Sequence, residues 1–116
     1  MPLIRVQLSV AVDAKTEQSI LKSLSSAVAS ALGKPESYMM AVLEPRAAML
    51  MGASPEPAAF CEVRSVGTIS GAQAKSLSTV VCEVLTQQAK VPGERIYLNL
   101  AGVPGAMWGH DGGTFG

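Results

Sequence analysis

Aromatic side chains and charges are both scarce in this chain, and histidine occurs once. Phe, Trp and Tyr together make up 4% of the 116 residues and charged residues 16%, where soluble domains average roughly 25% charged. Lys plus Arg and Asp plus Glu each number 9, so the net charge is zero. There is no basic run and no acidic run. The electrostatic footprint that nucleic acid or an anionic membrane surface would require is absent, which excludes both as partners. No apolar stretch approaches the roughly eighteen residues of a spanning helix. Cysteine is limited to Cys61 and Cys82. That supports neither a disulfide scaffold nor a four-ligand zinc site, and two buried thiols in a reducing compartment are expected. With His110 alone, histidine-based triads and metal clusters have little to work with, and His110 itself reads as an exposed loop residue. The start, Met1-Pro2-Leu3-Ile4-Arg5, lacks the basic and long apolar regions of a secretory signal, so the expected location is cytoplasmic.

What is present is apolar. Hydrophobic residues reach 48%, enough for a packed core, and the length fits one domain over residues 1–116. A domain this small buries a limited share of its surface by itself. A chain this poor in charge is therefore expected to hide surface against copies of itself.

The hydrophobic period changes along the chain and then repeats. From Leu3 to Val12, apolar residues fall at alternate positions (Ile4, Val6, Leu8, Val10, Val12), which predicts a strand with one buried face. Asp13 is placed to cap a helix whose apolar stripe runs through Ile20, Leu24, Val28 and Leu32. Gly33 and Pro35 end it. Tyr38 to Leu43 reads as a second strand. The second half runs the same way. Ala59 to Val66 is a strand, Ser70 and Gln73 form a capping box, a helix carries Leu77, Val81 and Leu85, and Pro92-Gly93 ends it. Ile96, Leu98 and Leu100 then alternate with Tyr97 and Asn99 in a last strand. Two β-α-β units, an internal duplication, are the reading. The expected fold is α/β: one four-stranded mixed sheet with two helices on one face. The other face, expected to be bare and apolar, would be covered by neighbouring subunits. The glycine-rich end from Gly102 to Gly116 holds Met107, Trp108 and Phe115, and is too apolar for a free linker.

Pro2 is the unusual candidate for chemistry. Aminopeptidases remove Met1 when the next residue is small, leaving a secondary amine at the chain start. Burial or a nearby cation would lower the basicity of that amine. A neutral amine near pH 7 can take a proton from carbon beside a carbonyl or attack the carbonyl itself. Pro2 can equally be a residue that starts a strand, where a missing N–H is tolerated. Lys34, beyond the helix-ending Gly33, is favoured there by the helix dipole alone, by about 0.5 kcal/mol. It could also bind a substrate carboxylate and depress the amine. Tyr97 and Asn99 share one face of their strand, and a hydroxyl beside an amide can hydrogen-bond a carbonyl. They also fit a polar strand face at a subunit contact. Arg5 and Arg64 alternate outward from apolar neighbours as further cations.

Taken together, these segments resemble the macrophage migration inhibitory factor family of the tautomerase superfamily. Met1-Pro2 matches its start and Leu32-Gly33-Lys34-Pro35 its lysine segment. Gly52-Ala53-Ser54-Pro55-Glu56-Pro57 is similar to its middle loop, and Ser65-Val66-Gly67 with Gly71-Ala72-Gln73 to its second strand-to-helix passage. Arg95-Ile96-Tyr97-Leu98-Asn99 is similar to its Tyr-x-Asn strand, and Gly113-Thr114-Phe115 to its ending. The resemblance spans the whole chain. It implies a homotrimer whose sheets line a central barrel, with Pro2 as catalytic base and Lys34 on the substrate's acidic group. The Val66 backbone would help hold that group, Tyr97 and Asn99 would reach in from an adjacent subunit, and Trp108 and Phe115 would supply apolar wall. The implied reaction is keto–enol tautomerisation of a small phenylpyruvate-like or dopachrome-like acid, without a cofactor. A cytokine-like signalling role is the alternative, with leaderless secretion by the same analogy. Decarboxylation or dehalogenation on the same amine is a third reading. Two departures stand out. Ala58 replaces the first cysteine of the Cys-x-x-Cys of cytokine members, leaving Cys61, so thiol-disulfide oxidoreductase activity of that type is not expected. Val103 to Asp111 also diverges, at the rim of the implied pocket.

Overall fold

The computed structural model describes every residue, Met1–Gly116. Strand β1 (Pro2–Leu8) is followed by helix α1 (Ala14–Leu32) and strand β2 (Met40–Glu44). Strand β3 (Ala59–Val66), helix α2 (Gly71–Ala89) and strand β4 (Ile96–Val103) repeat the pattern. The sheet order is β2-β1-β3-β4. β1 runs parallel to β2, β3 parallel to β4, and the two pairs meet antiparallel along β1 and β3. The mixed sheet and the two β-α-β units are as the sequence predicts.

The duplication keeps one register throughout. Asp13 and Ser70 cap the two helices, each helix has 19 residues, and Gly33 and Lys90 close them. Pro35 and Pro92 then open matching 3-10 turns. Every one of these pairs is 57 residues apart. The caps work through local hydrogen bonds. Asp13 accepts from the Thr16 N–H, and Ser70 and Gln73 satisfy each other's backbone in a capping box, where each cap satisfies donors otherwise left orphaned.

Ile4, Val6 and Leu8 of β1 and Cys61 and Val63 of β3 point at the helices and are buried with Ile20, Leu24, Val28, Leu77, Val81 and Leu85. The opposite face is not the bare apolar surface expected. Arg5 Nη2 donates to Glu62 Oε1 at 2.6 Å, Arg64 Nη2 donates to Glu62 Oε2 at 3.1 Å, and Arg5 lies 3.7 Å from Glu44. The strand alternation that buries Val6 and Val63 necessarily turns Arg5, Glu62 and Arg64 outward together; Arg5 meets Glu62 across the β1–β3 ladder, and Arg64 reaches Glu62 from two residues along β3.

Several boundaries move. β1 stops at Leu8, although apolar alternation continues to Val12. Beyond Leu8 the chain leaves the ladder: the Leu8 and Val10 carbonyls accept from the Ala47 and Arg46 N–H groups. Val10 and Val12 still pack on the core, so the periodicity records burial rather than pairing. Tyr38 sits in a 3-10 turn, its N–H bonded to the Pro35 carbonyl, and β2 begins at Met40. α2 ends before Pro92, because Lys90 adopts φ 60° and breaks it. The glycine-rich end folds into a small hairpin of β5 (Gly109–His110) and β6 (Gly113–Thr114), turned at Asp111-Gly112. No helix is long and apolar enough to cross a membrane.

Candidate functional site

The site forms where β1 begins. Pro2 starts the strand opposite Ser65, its ring fully buried. α1 delivers Lys34 to this point. Gly33 takes φ 65°, a left-handed geometry that suits glycine, and the Lys34 N–H closes on the Ala29 carbonyl at 2.9 Å. The Lys34 Nζ then donates to the Val66 carbonyl at 3.1 Å. The Val66 N–H donates to the Met1 carbonyl at 3.2 Å, and the Gly67 N–H to the Val103 carbonyl at 2.9 Å. Gly102 makes that last crossing feasible: a Cβ there would stand 2.1 Å from the Gly67 carbonyl oxygen. Val66 is thereby fixed between the chain start, the end of α1 and the end of β4.

The terminal amine of Met1 is held below its ordinary basicity, first by burial and second by the charge of Lys34. Beside it opens a cleft of about 650 Å³. Pro2, Leu3, Met40, Val103, Met107 and Trp108 give it apolar walls, and Tyr38, Arg64 and His110 add polar groups. None of the residues lining it is acidic.

The chain brings together Pro2, Trp108 and, through the Val66 backbone, Lys34. It does not bring Tyr97 or Asn99 to them, while Phe115 meets Trp108 through the backbone, its N–H donating to the Trp108 carbonyl at 3.3 Å. Pro2 lies level with Ser65 and Gly102 across the sheet, whereas Tyr97 lies level with Phe60. Five residues of strand separate those levels, about 17 Å. Tyr97 is 65% exposed and lines a second, apolar cavity of about 280 Å³ with Met49, Leu50, Met51 and Phe60. Phe115 stacks on His110, ring centroids 5.3 Å apart, and so stands behind the cleft edge rather than in its wall. His110, read from the sequence as an exposed loop residue, is exposed and lies at the cleft. The Asp111-Gly112 turn was the signal for this, since Asp-Gly between short strands marks a tight hairpin. Tyr38 and Met107 carried no comparable signal. No three His, Cys, Asp or Glu side chains converge to hold a metal ion.

The family model for macrophage migration inhibitory factor (MIF) matches residues 1–116. This chain belongs to the macrophage migration inhibitory factor family. Macrophage migration inhibitory factor of Xenopus tropicalis is 36% identical over 115 residues, covering 99% of both chains. The Brugia malayi homolog is 33% identical over 98 residues, 84% of this chain and 85% of that one. Among solved structures, the macrophage migration inhibitory factor homologue from Prochlorococcus marinus superposes with a TM-score of 0.93 at 38% identity, covering 98% of this chain and 99% of that one. In this family member Cys61 is buried and its thiol is pushed up to about 12, by burial first and then by Cys82. A thiol so far from its thiolate is a poor nucleophile at neutral pH.

Proposed function

We propose that this protein is a cofactor-independent keto–enol tautomerase of phenylpyruvate-like or dopachrome-like acids, working with Pro2 as the base after Met1 is removed. Family membership supports a tautomerase or cytokine-like role. The observation that carries the catalytic reading is the chain start itself: a fully buried proline ring at the edge of an apolar cleft, where burial and Lys34 already depress the adjoining amine.

Loss of Met1 would make two changes at once. The Pro2 nitrogen would pass from an amide to a secondary amine, in surroundings that favour its neutral form. The Val66 N–H, engaged by the Met1 carbonyl, would become a free donor next to Lys34. Together they would hold the substrate carboxylate. Pro2 would take the proton from the enol oxygen and return it to the neighbouring carbon, the electron pair of the C=C moving to bond that proton as the C=O forms. No redox partner enters the balance. Trp108 provides apolar wall. Phe115 backs that wall through His110 and Trp108, whereas Tyr97 and Asn99 are assigned to the pocket of an adjacent copy in a homotrimer, because within one chain they lie away from Pro2.

The test is enol-to-keto conversion of phenylpyruvate by protein whose intact mass proves Met1 absent. Pro2→Gly should lower kcat/KM by about tenfold or more, and a form retaining Met1 should fall to the background rate. An inactive protein with Met1 demonstrably gone refutes the reading.

A further inference from the structure

Arg64 stands at the border of two environments. Its Cα pairs with Leu3, one step from the Pro2–Ser65 pair. Ser65 turns into the buried side of the sheet, so Arg64 faces the open side. There its only side-chain hydrogen bond runs from Nη2 to Glu62 Oε2, at 3.1 Å. The other Glu62 oxygen is held by Arg5 at 2.6 Å, so Glu62 keeps a partner whether or not Arg64 stays. A guanidinium has five N–H donors. Four of them on Arg64 are unused by the protein, and the side chain is 55% exposed. Arg64 also lines the cleft beside Pro2, and none of the other residues lining that cleft is acidic.

Lys34 approaches the same point from the other side. It follows α1, which lies on the helix-covered face, and reaches the Val66 carbonyl from there. Two cations therefore flank the chain start, one from each face of the sheet. A monoacid with an aryl tail needs one of them. The geometry points to Arg64 as a specificity-determining residue that receives a second anionic group, so that keto/enol acids bearing a second carboxylate are taken in preference to aryl monoacids. This inference rests on the tautomerase reading for its kinetic consequence, but not for binding. One carboxylate sits on Lys34 and the Val66 N–H, the far carboxylate accepts a two-pronged bond from Arg64, and the reacting carbons lie between them over Pro2. The proton transfers are those already described.

Trp108 is the one tryptophan of the chain and lines this cleft, so its fluorescence reports occupancy. With Met1 removed, succinate and butyrate, unreactive acids of equal length, are titrated into the native protein, Arg64→Gln and Arg64→Lys. The native protein should bind succinate about tenfold more tightly than butyrate, as one charge-assisted pair at a half-exposed site allows. Arg64→Gln should abolish most of that preference while leaving butyrate affinity within about twofold, and Arg64→Lys should restore part of it. In turnover, Arg64→Gln should raise KM for the oxaloacetate enol about tenfold and leave KM for the phenylpyruvate enol nearly unchanged. A native protein that does not prefer succinate, an Arg64→Gln protein that keeps the preference, or equal rises in both KM values overturn the assignment. Succinate binding that depends on Arg64 in a protein that converts neither enol overturns the role of Pro2 instead, and leaves the second anion site in place.

Discussion

Replacing Arg95 with methionine should loosen the middle loop more than any other single change on the surface. Arg95 closes the 3-10 turn before β4, its own N–H bonded to the Pro92 carbonyl. Its guanidinium reaches across to the loop and donates to four backbone carbonyls: Nε to Pro57 at 3.0 Å, Nη1 to Met51 at 3.2 Å, and Nη2 to Ser54 and Glu56 at 3.0 Å each. Four of the five donors are used on a loop whose own internal bonds are few: the short bridge of Met51 with Ser54 and the Glu56 N–H on Ser54 Oγ. Hydrogen bonds to a charged group contribute about 1.5–3 kcal/mol when buried. These are partly exposed and water can replace some of them, so about 0.75 kcal/mol each is the working value, or about 3 kcal/mol in total. At about 2.1 cal/mol/K per residue, a chain of this length unfolds with an entropy near 0.24 kcal/mol/K, which converts the loss into a fall in Tm of about 12 °C. Arg95→Lys, with a compact ammonium in place of the fork, should recover less than half. Thermal unfolding followed by circular dichroism at one fixed protein concentration reads both variants. A fall below about 3 °C for Arg95→Met would mean that the carbonyls rehydrate freely, and that the clamp is incidental to the loop.

Two more expectations concern ionisation. Lys34 lowers the basicity of the Met1 amine, after burial, and the Pro2 amine that removal of Met1 would expose is expected to feel the same charge, so Lys34→Met should raise the basicity of that amine. A base must be neutral to act, so the acidic limb of kcat/KM against pH should move to higher pH in that variant; an unmoved limb removes Lys34 from the electrostatics of the amine. Cys61, with its thiol at about 12, should resist a neutral thiol reagent at pH 8 until denaturant is added, and rapid labelling of Cys61 in the folded protein, located by peptide mass, would contradict its burial.

Much of the fold could be read from the sequence because its signals are local. Asp13, Gly33, Ser70 and Gln73 act within one turn of their own positions, and their spacing alone locates both helices. Ala59–Val66 was legible because alternation and ladder coincide there. They part company after Leu8, where side chains keep alternating into the core while the backbone finds partners in the loop after β2. Lys90 could not be anticipated as a helix end, because a non-glycine residue rarely takes a left-handed φ. At the site, Pro2 and Lys34 were legible as unusual residues at chain and helix ends. Arg64 reaches the cleft through strand pairing, which no linear spacing reveals, and His110 arrives by the hairpin that Asp111-Gly112 marks. The clamp of Arg95 is equally invisible, since its four partners lie some forty positions away.

The constant offset of 57 residues between the halves sets up an internal near-symmetry that chemistry must break. Under that operation Pro2 falls on Ala59 and Lys34 on Val91, both buried. A polypeptide has one beginning, so the nitrogen of Ala59 is permanently acylated by Ala58 and can never serve as an amine. Met40 falls on Tyr97 and Val42 on Asn99. Freed from any chance of hosting a reactive terminus, the later repeat could evolve as equipment for a neighbour, and each chain would then be half workshop and half toolbox.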